Sequence, residues 1–216
     1  MKQMAFVFGP NGSGKGTLCQ NIESEIKFLH INLGKLVRDY ITRNNRTDLA
    51  ATINRGNFIN DEIISEIIFT HKIIQNIEFS PYKGILFEGF PRQLSQIEIL
   101  KRLIKYKAIE PLFYIELVID LETIINRVKY RVIAPDGKTY NLMYNPPPKE
   151  IPEELLQKRE DDDLSVVKYR YEKYQKLTKP CLDDSFFIKL PKLTIDARQS
   201  IEDIQNQALE FIQRIT

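Results

Sequence analysis

Residues 9–17 read Gly-Pro-Asn-Gly-Ser-Gly-Lys-Gly-Thr and follow directly on an apolar run, Met4-Ala-Phe-Val-Phe8. Glycines at 9, 12 and 14 let a backbone curl with no Cβ in the way, so that successive N–H groups point inward. A helix opening near Lys15 adds the positive end of its dipole. Lys15 has the reach for outer phosphates, and Thr17 offers a hydroxyl beside a bound Mg²⁺. The spacing therefore predicts a polyphosphate cradle of Gly12, Ser13, Gly14, Lys15, Gly16 and Thr17. Arginines spread along the chain are a second chemical resource. The planar guanidinium bonds two phosphate oxygens at once, which suits it to gathering phosphates.

The elements that must position these groups are legible as alternation. Met4–Phe8, Gly84–Phe87, Leu112–Ile119 and Lys192–Asp196 read as short apolar strands. Between them, 61–77, 93–106, 163–178 and 200–214 carry helical patterns. Apolar strands separated by helices predict an α/β parallel sheet covered on both faces. Ligands of such sheets bind at the carboxyl ends of the strands, where the glycine loop falls. Two segments interrupt the alternation. Residues 31–60 read as polar, helical and short of core residues; 129–160, with Pro135-Asp-Gly137, Tyr140 and Asn145-Pro-Pro-Pro148, read as a hairpin with a proline strap. Insertions beside a phosphate site are candidate lids.

Composition narrows the classes. The chain has 216 residues, 43% apolar and 28% charged, with a net charge of +2. That is enough chain for a good core and gives no broad basic face, so no nucleic-acid partner is expected. The start of the chain lacks a secretory pattern, and no apolar run approaches a membrane span, so no membrane partner and a cytoplasmic location are expected. Cys19 and Cys181 are too few for a four-thiolate zinc site and read as buried small apolar side chains. With no long apolar stripe evident, a monomer is expected.

Taken in order, these motifs resemble the adenylate kinases, of the type with a full lid. The resemblance rests on Gly9–Thr17, His30-Ile-Asn-Leu-Gly-Lys-Leu-Val-Arg38, Asp61-Glu62 after Gly56, Glu88-Gly-Phe-Pro-Arg92 with Gln96, Arg127 and Arg131, Tyr140 with Asn145-Pro-Pro147, and Arg159-Glu-Asp-Asp162 with Arg170. It implies a P-loop NTPase-type sheet with NMP-binding and lid insertions: a core of 1–30, 61–126 and 163–216, an NMP-binding insertion at 31–60 and a lid at 127–162. It implies phosphoryl transfer between ATP and AMP with Mg²⁺. Lys15, Arg92, Arg131, Arg159 and Arg170 would be catalytic. Arg127, Tyr140 and Arg198 would join the cradle around ATP. Leu33, Arg38, Ile59, Gly89, Arg92 and Gln96 would hold AMP. Mg²⁺ would be held through Thr17, Glu88 and water. A lid without cysteine implies no structural zinc. Arg159 and Arg170, eleven apart, are expected on one helix face.

The chain departs from the family pattern in three places: Glu88 and Lys35 stand where Asp is usual, and Leu33 where Thr is usual. A Lys beside a Mg²⁺ site reverses the local charge, so a Lys35–Glu88 ion pair across the cleft is one expectation. The other is that both side chains point elsewhere and the metal stays. Leu33 removes a hydroxyl from the acceptor-base site. These departures keep two alternatives open: a kinase using GTP or another monophosphate, and a nucleotide-binding regulatory protein with little catalysis. His30 reads as a partly buried structural histidine, and Tyr169, Tyr171 and Tyr174 as the packed face of a long helix.

Overall fold

The computed structural model describes residues 1–135, 138–158 and 162–215. The chain runs β1 (Gln3–Phe8), α1 (Lys15–Ile26), β2 (Phe28–Asn32), α2 (Leu33–Arg43), α3 (Thr47–Asn54), α4 (Asp61–Thr70), α5 (Lys72–Gln75), β3 (Gly84–Glu88), α6 (Gln96–Lys107), β4 (Glu110–Val118) and α7 (Leu121–Lys129). Then follow β5 (Arg131–Ile133), β6 (Thr139–Asn141), α8 (Leu164–Lys173), β7 (Lys192–Asp196) and α9 (Ile201–Ile215).

Five strands form one sheet in the order β2-β3-β1-β4-β7, and every pairing is parallel. β1 lies at its centre, and Met4 to Phe8 are at most 1% exposed. Because side chains alternate along a strand, Met4, Phe6 and Phe8 pack into the core on one face while Ala5 and Val7 pack on the other. The first face is aromatic: the Phe187 ring lies 5.2 Å from those of Phe6 and Phe8 and 5.7 Å from Tyr114, each edge-on. Each fully buried ring of this kind stabilises the sheet by about 1.5–3 kcal/mol.

The fold class read from the sequence is the one observed. Several details differ from the expectations. β2 carried no strand signal, since only Phe28 and Ile31 are buried in it; it is an edge strand paired with β3 alone. The helical pattern of 61–77 is broken at His71, whose backbone is extended between α4 and α5. Residues 31–60 are not short of core residues: Leu33, Leu36, Val37, Leu49 and Ile59 are buried against Ile64, Ile67 and Ile68. β5 and β6 form the expected antiparallel hairpin. Among the described residues, no helix is long and apolar enough to cross a membrane.

Candidate functional site

The loop after β1, the end of β2 and the end of β3 meet at the carboxyl edge of the sheet. Gly14 caps α1 in a left-handed conformation, φ 94°. Its missing Cβ faces open space, so glycine is required there by the backbone and not by crowding. α1 therefore begins at Lys15, with its first amides turned towards the cleft. Ser13 Oγ is buried without a hydrogen-bond partner among the described residues.

Glu88, the last residue of β3, is 9% exposed. His30 Nε2 lies 2.9 Å from its Oε2, and Asn32 Nδ2 donates to the same oxygen. Burial pushes this carboxyl up, but the His30 and Asn32 hydrogen bonds and the charge of Lys15 outweigh it, so Glu88 titrates below the usual range. Asn32 acts twice. Its amide nitrogen holds Glu88, and its Oδ1 caps α2 by accepting from Lys35 N at 2.8 Å. Lys15 donates to Pro10 O at 2.8 Å. Desolvation lowers its ammonium to about 8, with Glu88 pulling the other way.

The ion pair expected between Lys35 and Glu88 does not form. Lys35 is exposed in the first turn of α2, where its ammonium stays hydrated, and Glu88 is held by His30 and Asn32.

Two cavities open from this edge. The smaller is lined by Leu33, Arg38, Ile59, Gly89, Arg92, Gln96 and Arg170, together with Phe58 and Val37. The larger is lined by Gly12 to Thr17, Arg127, Arg131, Tyr140 and Arg198. Asn11, Lys15, Asn32, Arg38 and Glu88 line both, so the cavities join where the cradle meets β2 and β3. Every site residue named from the sequence falls in one cavity or the other, except Arg159, which lies outside the described residues. α8 does not extend back through position 163: Asp163 is extended and caps the helix by accepting from Ser165 N at 2.8 Å. The single helix expected to present both Arg159 and Arg170 is therefore not there.

The cavity walls are ordered. Arg92 Nε donates to Gly89 O at 2.9 Å, Thr178 Oγ1 holds the Arg92 carbonyl at 2.7 Å, and the guanidinium sits 5.7 Å over the Phe58 ring. Gln96 Oε1 accepts from Arg92 N at 2.8 Å while its Nε2 donates to Asp61 at 3.0 Å. An amide has two donors and two lone pairs, so each end keeps one further bonding capacity. Arg170 Nη2 reaches across to Ile53 O at 2.6 Å, and Tyr169 and Lys173 both hold Asn57 Oδ1, at 3.0 and 2.8 Å. α8 is thereby tied to the 53–58 segment. Tyr169, expected in a packed face, is 41% exposed, whereas Tyr174 is buried.

On the other side, Arg127 donates to Ala197 O at 2.6 Å, and burial lowers the affinity of its guanidinium for its proton. Arg131 pairs with Asp162 and Arg198 with Asp196. Asn141 Nδ2 fastens the hairpin to the end of α7 through Arg127 O at 2.8 Å.

Sequence reading missed Asn32 and the partnership of His30. An Asn immediately before a helical pattern is a capping signal, and it could have located the first. Nothing in the spacing of 30 and 88 announces the second.

The adenylate kinase family model matches residues 7–189. The chain is 32% identical to an adenylate kinase of Chloroherpeton thalassium, over 97% of this chain and 98% of that one. It is 33% identical to an adenylate kinase of Buchnera aphidicola subsp. Cinara cedri, over 94% of each. It is 29% identical to an adenylate kinase of Petrotoga mobilis, over 95% of each.

Proposed function

The chain belongs to the adenylate kinase family and is a nucleoside monophosphate kinase, a phosphotransferase; on that premise we propose which of its residues carry the reaction ATP + AMP = 2 ADP. The observation that carries the assignment is the junction of the two cavities at Lys15, Arg38 and Glu88. ATP lies in the larger cavity with its phosphates in the Gly12–Thr17 cradle and its base between Arg127 and the segment at Arg198. AMP lies in the smaller, with its phosphate on Arg38 and Arg92 and its base against Leu33, Ile59 and Gln96. The terminal phosphate of ATP and the AMP phosphate then face each other at the junction.

Transfer is direct and in line, with no covalent intermediate, so the protein positions the reactants and offsets charge. Lys15 and Arg92 flank the moving phosphoryl group, with Arg131, Arg159 and Arg170 closing on it from the lid side. Arg131 must exchange Asp162 for phosphate to do so. The 31–60 insertion and the 127–162 lid are the moving parts that exclude water, which would otherwise hydrolyse ATP.

The residues fit a Mg²⁺ ion. Glu88 is held ionised beside the loop, 3.6 Å from where a Cβ on Gly16 would stand, and hard oxygen donors suit this ion. Thr17 and, through water, Glu88 would hold it. Bound with ATP, Mg²⁺ neutralises charge on the β- and γ-phosphates. A cytoplasmic location is in keeping with two buried free thiols, Cys19 and Cys181.

A second reading is favoured by Leu33, which is fully buried at the smaller cavity. Without a hydroxyl there, discrimination between AMP and other monophosphates weakens.

A coupled assay across ATP and GTP as donors and AMP, GMP, CMP and UMP as acceptors decides among these. ATP with AMP is expected to give the highest kcat/KM. A faster GTP reaction overturns the donor, a faster pyrimidine acceptor overturns the AMP assignment, and nucleotide binding without turnover in any pair leaves a regulatory protein.

A further inference from the structure

Beneath the cleft, three side chains from separate elements converge: Cys19 on α1, His30 on β2 and Glu88 at the end of β3. One sulfur, one ring nitrogen and one carboxylate oxygen from them lie within 4.8 Å of one another. Among the described residues this is the group of His, Cys and acidic side chains whose donors come together in this way.

We propose that Cys19, His30 and Glu88 form a binding site for a borderline-soft divalent transition metal, of which Zn²⁺ is the physiological example. The donor set is the first reason. One thiolate, one imidazole and one carboxylate match zinc, and a thiolate is a poor ligand for Mg²⁺. Distance is the second. Zinc bonds of about 2.0–2.3 Å set tetrahedral donors about 3.3–3.7 Å apart, so donors already within 4.8 Å close onto an ion by side-chain adjustment alone. His30 Nε2 and Glu88 Oε2, at 2.9 Å, need only part slightly to admit it.

Charge is the third reason. A divalent ion takes the Cys19 sulfur as the thiolate, its proton leaving to solvent, and takes His30 through the Nε2 lone pair, with the ring proton carried on Nδ1. The site then contains one dication, one thiolate and one carboxylate, and is neutral beside the Lys15 ammonium. His30 and Glu88 line the larger cavity, which gives an entry path and leaves the fourth position for water. Occupancy diverts Glu88 from the Mg²⁺ role proposed above, so zinc is an inhibitor that a chelator reverses. That consequence rests on the proposed reaction; the metal site does not.

The test is a Co²⁺ titration of the purified full chain. One equivalent is expected to bind, with a near-ultraviolet thiolate-to-cobalt charge-transfer band that Zn²⁺ abolishes by displacement. Cys19→Ala removes the band, and His30→Gln, which keeps a donor facing Glu88, weakens binding by at least about tenfold, the loss that even outer-shell partners of metal ligands cause. Cys181→Ala leaves both unchanged. A wild-type chain without the band overturns the proposal. So does a band that survives in Cys19→Ala or an affinity unchanged in His30→Gln. Either variant decides alone if the other fails to fold.

Discussion

In the proposed reaction, Arg92 is the residue on which the chemistry leans hardest. Gln96 and Thr178 hold its backbone, and Gly89 O and the Phe58 ring hold its guanidinium at the wall of the smaller cavity. Arginines that stabilise phosphoryl-transfer transition states contribute about 10³–10⁵ in kcat, or roughly 4–7 kcal/mol. Arg92→Ala is therefore expected to lose turnover on that scale in single-turnover kinetics while its thermal midpoint stays near wild type. Lys15 sets a pH limit. Its ammonium, lowered to about 8 by desolvation, is charged below that pH and neutral above it. The kcat/KM for ATP, which reports the free enzyme, is expected to fall as pH rises through about 8. Because bound phosphate favours the charged form, kcat should hold to higher pH. A kcat/KM profile flat to pH 10 would show that desolvation does not hold the Lys15 ammonium near 8. The motif residues of this site were legible one by one in the sequence. The partner of Glu88 was not, because a contact between positions 30 and 88 exists only through the pairing of β2 with β3.

At the scale of elements, the caps decide where helices begin. Asn60 accepts from Ile63 N at 3.0 Å and starts α4, whose Ile64, Ile67 and Ile68 close the core beneath the smaller cavity. Asn60→Ala is expected to cost about 1 kcal/mol, read as a lower urea midpoint with an unchanged m-value. The central strands were readable because burial on both faces leaves a continuous apolar run, and the longer helices because burial on one face imposes a period. β2 was not, since an edge strand with two buried residues carries no period. The insertion at 31–60 misled for a related reason. Its buried leucines and valine lie on one face of α2, and a narrow apolar stripe raises the average polarity of the segment.

For the whole molecule, the two cavities and their shared wall predict cooperative capture of a ligand spanning both. A bisubstrate mimic, two adenosines joined through five phosphates, is expected to raise the thermal midpoint more than ADP does at the same concentration. At 100 times its dissociation constant the stabilisation is about 2.7 kcal/mol, or roughly 5–11 °C for a chain of this size. No shift at millimolar mimic would separate the cavities and end the two-nucleotide reading. α8 supports the same picture, since Arg170, Tyr169 and Lys173 tie it to the 53–58 segment, which lines the smaller cavity.

Local chemistry was written in the sequence. The glycine cradle, each strand or helix pattern and the cysteine-free lid depend on residues close together in the chain, and the order of the arginines is read directly along it. Only the folded chain decided which charges meet. Glu88 is held by His30 and Asn32 and not by Lys35, because parallel pairing sets β2 beside β3 while the first turn of α2 leaves its lysine in water. The pairing also brought a thiol, an imidazole and a carboxylate to one point. Separations along the chain carry no record of such convergence, since it is the register of neighbouring strands that fixes it.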